Sequence, residues 1–203
     1  GNRIGTPTAA GAVLLDEGYD GLPLVFCGSV GVMPRSAVTK RVRVGDVVVL
    51  VGGRTGRDGL GGAVFASRPI SPEGRGREGE GVIQRGDPLT GRCLWVALLR
   101  ARDENLYGAV TDLGAGGIAV AAVDLASCNG RAGIEVDLDL VATKASGLKP
   151  EEIWLAESQE RMLLAVPPRS VRRLQALFAE EASEATVVGR ITGNGILTAR
   201  WQG

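Results

Sequence analysis

The chain has 203 residues, 23 of them basic and 23 acidic, and no histidine. Balanced charge gives no electrostatic footprint for nucleic acid or an anionic membrane surface, and the missing histidine excludes Ser/His and Cys/His catalytic pairs within the chain. Hydrophobic residues make up 44% of the sequence and aromatics only 4%, so an aliphatic core is expected, in one full domain with part of another.

Cys27, Cys93 and Cys128 are far apart and show no CxxC spacing. A disulfide framework or zinc site is therefore not expected, which fits a reducing cytoplasm. No apolar run reaches the roughly 18 residues of a membrane span, and no basic segment followed by an apolar stretch opens the chain. The opening GNRIGTPTAAGAVLL starts inside what reads as a folded unit, so a piece of a longer chain is expected.

In chain order, residues 11–16 and 24–33 read as two strands joined by EGYDGLP, where Asp20-Gly21 is a hairpin signal. Residues 34–46, with Pro34 and four basic residues, read as a linker. VVVLVGG, residues 47–53, is a β-branched run of the kind buried on both sheet faces. A glycine-rich stretch follows, and residues 71–82 (SPEGRGREGEGV) read as a mobile surface loop. Residues 87–102 suit an amphipathic helix, with Asp87 as N-cap, Pro88 at the first helical position, and Leu89, Cys93, Val96 and Leu99 along one face.

AVTDLGAGG, residues 109–117, reads as a strand entering a glycine turn, followed by a helix of small residues. IEVDLDLV alternates like a half-exposed strand. A short helix over 149–156, a strand over 162–166, a helix over 171–181 and strands over 185–191 and 196–201 complete the pattern. This alternation predicts an α+β fold with helices covering a mixed sheet.

Several short stretches bear chemistry. TGRDGLGGA, residues 55–63, could bring backbone amides to an anion, although it is neither a Walker motif nor GxGxxG; equally, it is only a loop in which Arg57 pairs with Asp58. Asp112 ends a strand where ligands of α/β sheets gather and is a natural magnesium ligand, or else an N-cap of the next helix. Gln84 precedes a helix start able to hold an anion. Glu157, Ser158 and Gln159 place dense hydrogen-bonding capacity in front of an apolar strand.

TGRDG, GDP, DLGAGG and ESQERM, in this order and at these separations, resemble the synthetase subunit of the formylglycinamide ribonucleotide amidotransferases, or phosphoribosylformylglycinamidine synthases. The resemblance extends from GTPT at residues 5–8 to the last strands, and ESQERM argues against the related aminoimidazole ribonucleotide synthetases. It implies the α/β/α C-terminal-type domain of that superfamily over residues 39–203, preceded over 1–38 by strands of its N-terminal-type domain. It implies that Gln84, Glu157, Ser158 and Gln159 contact formylglycinamide ribonucleotide, that Asp112 binds Mg2+, that ATP activates the formamide oxygen, and that a glutaminase subunit or domain supplies ammonia.

The sequence departs from that pattern in places. Gly61 stands where the family has histidine, Ala10 and Ala12 stand where glycine and glutamate are common, and GDPF reads GDPL. The family's catalytic histidine and most of its ATP site match no residue here, so no catalytic residue is assigned and this chain alone is expected to be inactive. The alternative is a non-catalytic nucleotide-binding or structural homologue.

Overall fold

The computed structural model of the chain describes residues 6–19, 24–62 and 86–203. The chain divides into two units, Gly1–Thr39 and Lys40–Gly203.

In the first unit the described regular elements are two 3-10 turns, Glu17–Tyr19 and Arg35–Ala37. Residues 11–16 and 24–33, expected as strands, pair with nothing among the described residues. Val13, Leu15, Phe26 and Val30 are exposed, the last at 99%. β-branched composition is a tendency to pair, and a strand forms only where a partner supplies the ladder.

The second unit is a six-stranded mixed sheet between two helical layers. Its strands are β1 (Val47–Gly52), β2 (Ala109–Asp112), β3 (Gly133–Asp137), β4 (Arg161–Val166), β5 (Glu184–Thr192) and β6 (Leu197–Arg200). They lie in the order β2-β4-β1-β5-β3-β6, antiparallel throughout except for the parallel pair β3 and β6. The last two strands, which flank the Gly193-Asn194-Gly195 turn, do not pair with each other, because β3 lies between them.

The helices are α1 (Pro88–Asp103), α2 (Gly117–Ser127), α3 (Pro150–Leu155) and α4 (Val171–Glu180). Period-2 alternation in the central strands divides the core. Val48, Leu50, Leu163 and Ala165 pack with Ile118, Ala121, Ala122 and Leu125 of α2 and Ile153 of α3. Val49, Val51, Leu164 and Val166 pack with Leu94, Ala97 and Leu98 of α1 and Leu174, Leu177 and Phe178 of α4. Each of the Val, Leu, Ile and Phe side chains among these contributes about 1.5–3 kcal/mol on burial, and each alanine less. The architecture is therefore the expected α/β/α arrangement, in an α+β fold.

Two expectations shift in detail. In α1 the N-cap is Asp87, which accepts from the Leu89 amide at 2.9 Å, but the buried face is Leu94, Ala97, Leu98 and Ala101, while Leu89 and Leu99 are exposed. Small alanines close to the sheet bury more completely than the larger residues one position away. The strand expected over 134–141 ends at Asp137, where the Asp137 carboxylate accepts from the Asp139 amide at 3.0 Å and turns the chain into the 3-10 segment Leu138–Leu140. No described helix is long and apolar enough to cross a membrane.

Candidate functional site

The antiparallel register brings the motifs together. Gly52 at the end of β1 lies opposite both Arg161 at the start of β4 and Glu184 at the start of β5, and Asp112 at the end of β2 lies opposite Met162. One edge of the sheet therefore carries TGRDG after β1, DLGAGG after β2 and ESQER before β4. The first turn of α1 joins this edge, since a Cβ on Gly91 would meet the Glu160 side chain. Gln84 and residues 71–82 lie outside the described residues.

Close backbone approach sets the shape of the turn before β4. Gly52 (φ +99) has room only for hydrogen, because a Cβ there would run into the Glu160 carbonyl, and Gly117 (φ +57) is pressed in the same way against the Ala156 carbonyl. Glu160 itself adopts φ 54, a strained conformation for a residue with a Cβ, and its carbonyl accepts from the Gly53 amide at 2.8 Å.

Arg161 organises this turn from within. Only 2% exposed, it donates through Nε to the Ser158 carbonyl (2.8 Å), through Nη1 to Thr55 Oγ1 (2.8 Å) and through Nη2 to the Ala156 carbonyl (2.6 Å). Burial pushes its guanidinium down to about 10, opposed by the Asp58 charge. It remains a cation at neutral pH.

Ser158 is fully buried. Its hydroxyl accepts from the Gly56 amide at 3.0 Å and donates to Asp58 Oδ1 at 3.1 Å. Asp58 in turn holds the Lys144 ammonium at 2.9 Å. Burial works against the Asp58 charge, but the hydrogen bond from Lys144, a backbone amide, the Lys144 charge and Ser158 together hold its carboxyl below the ordinary value. Arg57 does not pair with Asp58, as one reading of TGRDG had it; Arg57 bonds Glu152 at 3.2 Å and the Gly147 carbonyl at 2.8 Å. Nor do the first amides of the motif await an anion. Thr55 donates to the Ala142 carbonyl at 2.9 Å and Gly56 to Ser158.

Glu157, 3% exposed, reaches the glycine turn after β2, where its Oε1 accepts from the Gly116 amide at 3.4 Å. Gln159 is half-buried and donates to the Glu157 carbonyl at 3.3 Å. Asp112 is exposed. It does not cap α2, whose N-cap is Gly116 with no side-chain hydrogen bond. Among the described residues no group of three or more His, Cys, Asp or Glu gathers to hold a metal, and Asp112 makes no hydrogen bond or ion pair with another described side chain. An open single carboxylate fits magnesium, which takes one or two protein carboxylates and completes its shell with water and phosphate. It does not fit a metal caged by protein alone.

Thr55, Asp58, Lys144 and Arg161 were not singled out as site residues from the sequence. A signal existed for Arg161, an arginine opening the otherwise apolar strand RMLLAV, because a buried charge must bring its own partners.

Residues 43–202 match the family described as AIR synthase related protein, C-terminal domain. The chain is 44% identical over 202 residues to phosphoribosylformylglycinamidine synthase subunit PurL of Methanopyrus kandleri, covering 98% of this chain and 28% of that one. It is 42% identical over 199 residues to the PurL subunit of Thermomicrobium roseum, covering 97% of this chain and 26% of that one. Among solved structures, T. maritima PurL complexed with FGAR superposes with a TM-score of 0.73 at 34% identity, over 81% of this chain and 27% of the other. T. maritima PurL complexed with ATP gives 0.66 at 30% identity, over 81% of this chain and 24% of the other. The chain thus spans about a quarter of the length of these relatives. With the motif-bearing sheet edge, the three-layer fold and the matched residues in agreement, the chain belongs to the AIR synthase related, C-terminal domain family.

Proposed function

We propose that this chain is part of a phosphoribosylformylglycinamidine synthase, the ATP-dependent ligase that converts formylglycinamide ribonucleotide and ammonia to the amidine in cytoplasmic purine biosynthesis, and that the edge bearing TGRDG, DLGAGG and ESQER is its substrate side. The carrying observation is the convergence of three motifs, far apart in sequence, on one sheet edge, where Glu157 meets the turn behind Asp112 and Ser158 meets TGRDG. The FGAR and ATP complexes of the T. maritima relative support the same ligand classes. On this reading residues 1–38 belong to the preceding domain of the longer protein.

The chain's residues divide the work. Gln84 and Gln159 supply neutral donors and acceptors for the amide or ribose hydroxyls of the substrate. Glu157 adds its carboxylate from a nearly buried position, while Ser158, fully buried with its hydroxyl bonded to Gly56 and Asp58, backs that surface and holds its geometry fixed instead of touching the substrate as the resemblance implied. Asp112 would hold magnesium, which when bound offsets charge on the transferred phosphoryl group. Ammonia then displaces phosphate from the activated formamide, and a glutaminase subunit or domain is the source of that ammonia.

The test is ammonia- and ATP-dependent conversion of formylglycinamide ribonucleotide by the full-length gene product, with the 203-residue chain assayed beside it. Turnover by the full-length protein and none by the chain alone is the expected result. No turnover by a folded full-length protein would overturn the ligase reading and favour a binding homologue, with Gly61 in place of the family's histidine as its cause.

A further inference from the structure

TGRDG has no assigned role in the reaction, yet it holds the turn that bears Glu157, Ser158 and Gln159 from several directions at once. Thr55 Oγ1 accepts from the Arg161 guanidinium, the Gly56 amide donates to the Ser158 hydroxyl, and Asp58, fixed by Lys144, accepts a hydrogen bond from that hydroxyl. Arg161 returns to bond the Ser158 and Ala156 carbonyls. We infer that Thr55, Asp58 and Arg161 are positioning residues that lock the Glu157–Gln159 turn into one conformation before substrate arrives. This rests on the ligase reading above, and it gives the motif a purpose different from anion binding.

Two physical arguments favour positioning over plain stabilisation. A buried, hydrogen-bonded charge is a poor way to gain stability, since replacing the charge and its partners together by apolar side chains of equal volume is commonly neutral or better; in several proteins what such a network contributes is a specified geometry. The turn is also followed by a residue held in a conformation it would not readily adopt by itself, Glu160 at φ 54. Surroundings that over-determine a strained turn are typical of sites whose geometry is functional.

The experiment measures KM for formylglycinamide ribonucleotide and for ATP in the full-length gene product, with hydrogen exchange at the Gly56 amide as a readout independent of turnover. Thr55→Val keeps the side-chain volume and removes the acceptor of Arg161; it should raise KM for the ribonucleotide about tenfold while KM for ATP stays at the wild-type value. Thr55→Ser should restore it, and Asp58→Asn, which keeps an acceptor for Ser158, should give a smaller rise. The Gly56 amide should exchange faster in Thr55→Val than in wild type. Wild-type KM values in a folded Thr55→Val protein would overturn the inference, as would an equal loss for both substrates alongside a lower unfolding midpoint, the pattern of a merely structural residue. Should the wild-type protein itself fail to turn over, the ligase reading falls separately, and Gly56 exchange still decides the lock: equal rates in wild type and Thr55→Val would sink it.

Discussion

Two glycine-rich loops, TGRDG after β1 and DLGAGG after β2, leave the same edge of the sheet with one aspartate each, and their environments are opposite. Asp58 is met by a lysine and a serine hydroxyl, and the Gly56 amide two residues before it is bonded to the same serine. Asp112 stands exposed, with its carboxylate over Gly114 and no cation beside it among the described residues. A neutralised carboxylate with satisfied partners is part of the framework, whereas an open one at a strand end is available to a ligand. Residue type is the same in both; the difference is whether the chain returns a cation to it.

Substitutions can break this contrast, beginning where stability should suffer most. Arg161→Met leaves two buried carbonyls and the Thr55 hydroxyl without their donor, and should lower the unfolding free energy of the chain by about 3 kcal/mol in urea denaturation. Gly52→Ala forces a Cβ towards the Glu160 carbonyl at a positive φ, and the same assay should show a loss of about 1–3 kcal/mol. Lys144→Met removes the partner of Asp58. Lys144 is 47% exposed, so solvent screening limits the effect to about 1 kcal/mol.

Acid sharpens the same point. The Asp58 carboxyl is held below its ordinary value of 3.8. A depressed folded-state value means that its contribution is fully present above that ordinary value and is lost as pH falls through the lower folded one. Stability followed by circular dichroism should therefore decline below about pH 4, and less steeply in Asp58→Asn. At the far end of the scale, Asp112→Asn should alter stability by no more than about 0.5 kcal/mol, since nothing in the fold leans on that carboxylate.

Much of this was legible in the sequence, for reasons that differ from residue to residue. VVVLVGG announced a strand buried on both faces because four consecutive positions alternate between two cores, and Asp87-Pro88 announced a helix start because cap chemistry is local. The apolar runs at 11–16 and 24–33 carry comparable composition but find no ladder among the described residues, and composition alone does not reveal whether a partner exists. The link from Thr55 to Arg161 spans 106 positions and arises only when β1 and β4 pair in register, so from sequence TGRDG read either as an anion-binding loop or as a plain one. Asp112 was placed at a strand end by its pattern. That it is open rather than capping α2 depended on Gly116 taking the cap position.

The most direct measurement of the central claim is ammonia- and ATP-dependent turnover of formylglycinamide ribonucleotide by full-length wild-type and Asp112→Asn proteins, with their unfolding midpoints recorded in parallel. The account predicts turnover lower by about a hundredfold in the variant at an unchanged midpoint. Wild-type turnover in a folded Asp112→Asn protein would contradict it, and would remove the open carboxylate of DLGAGG from the reaction.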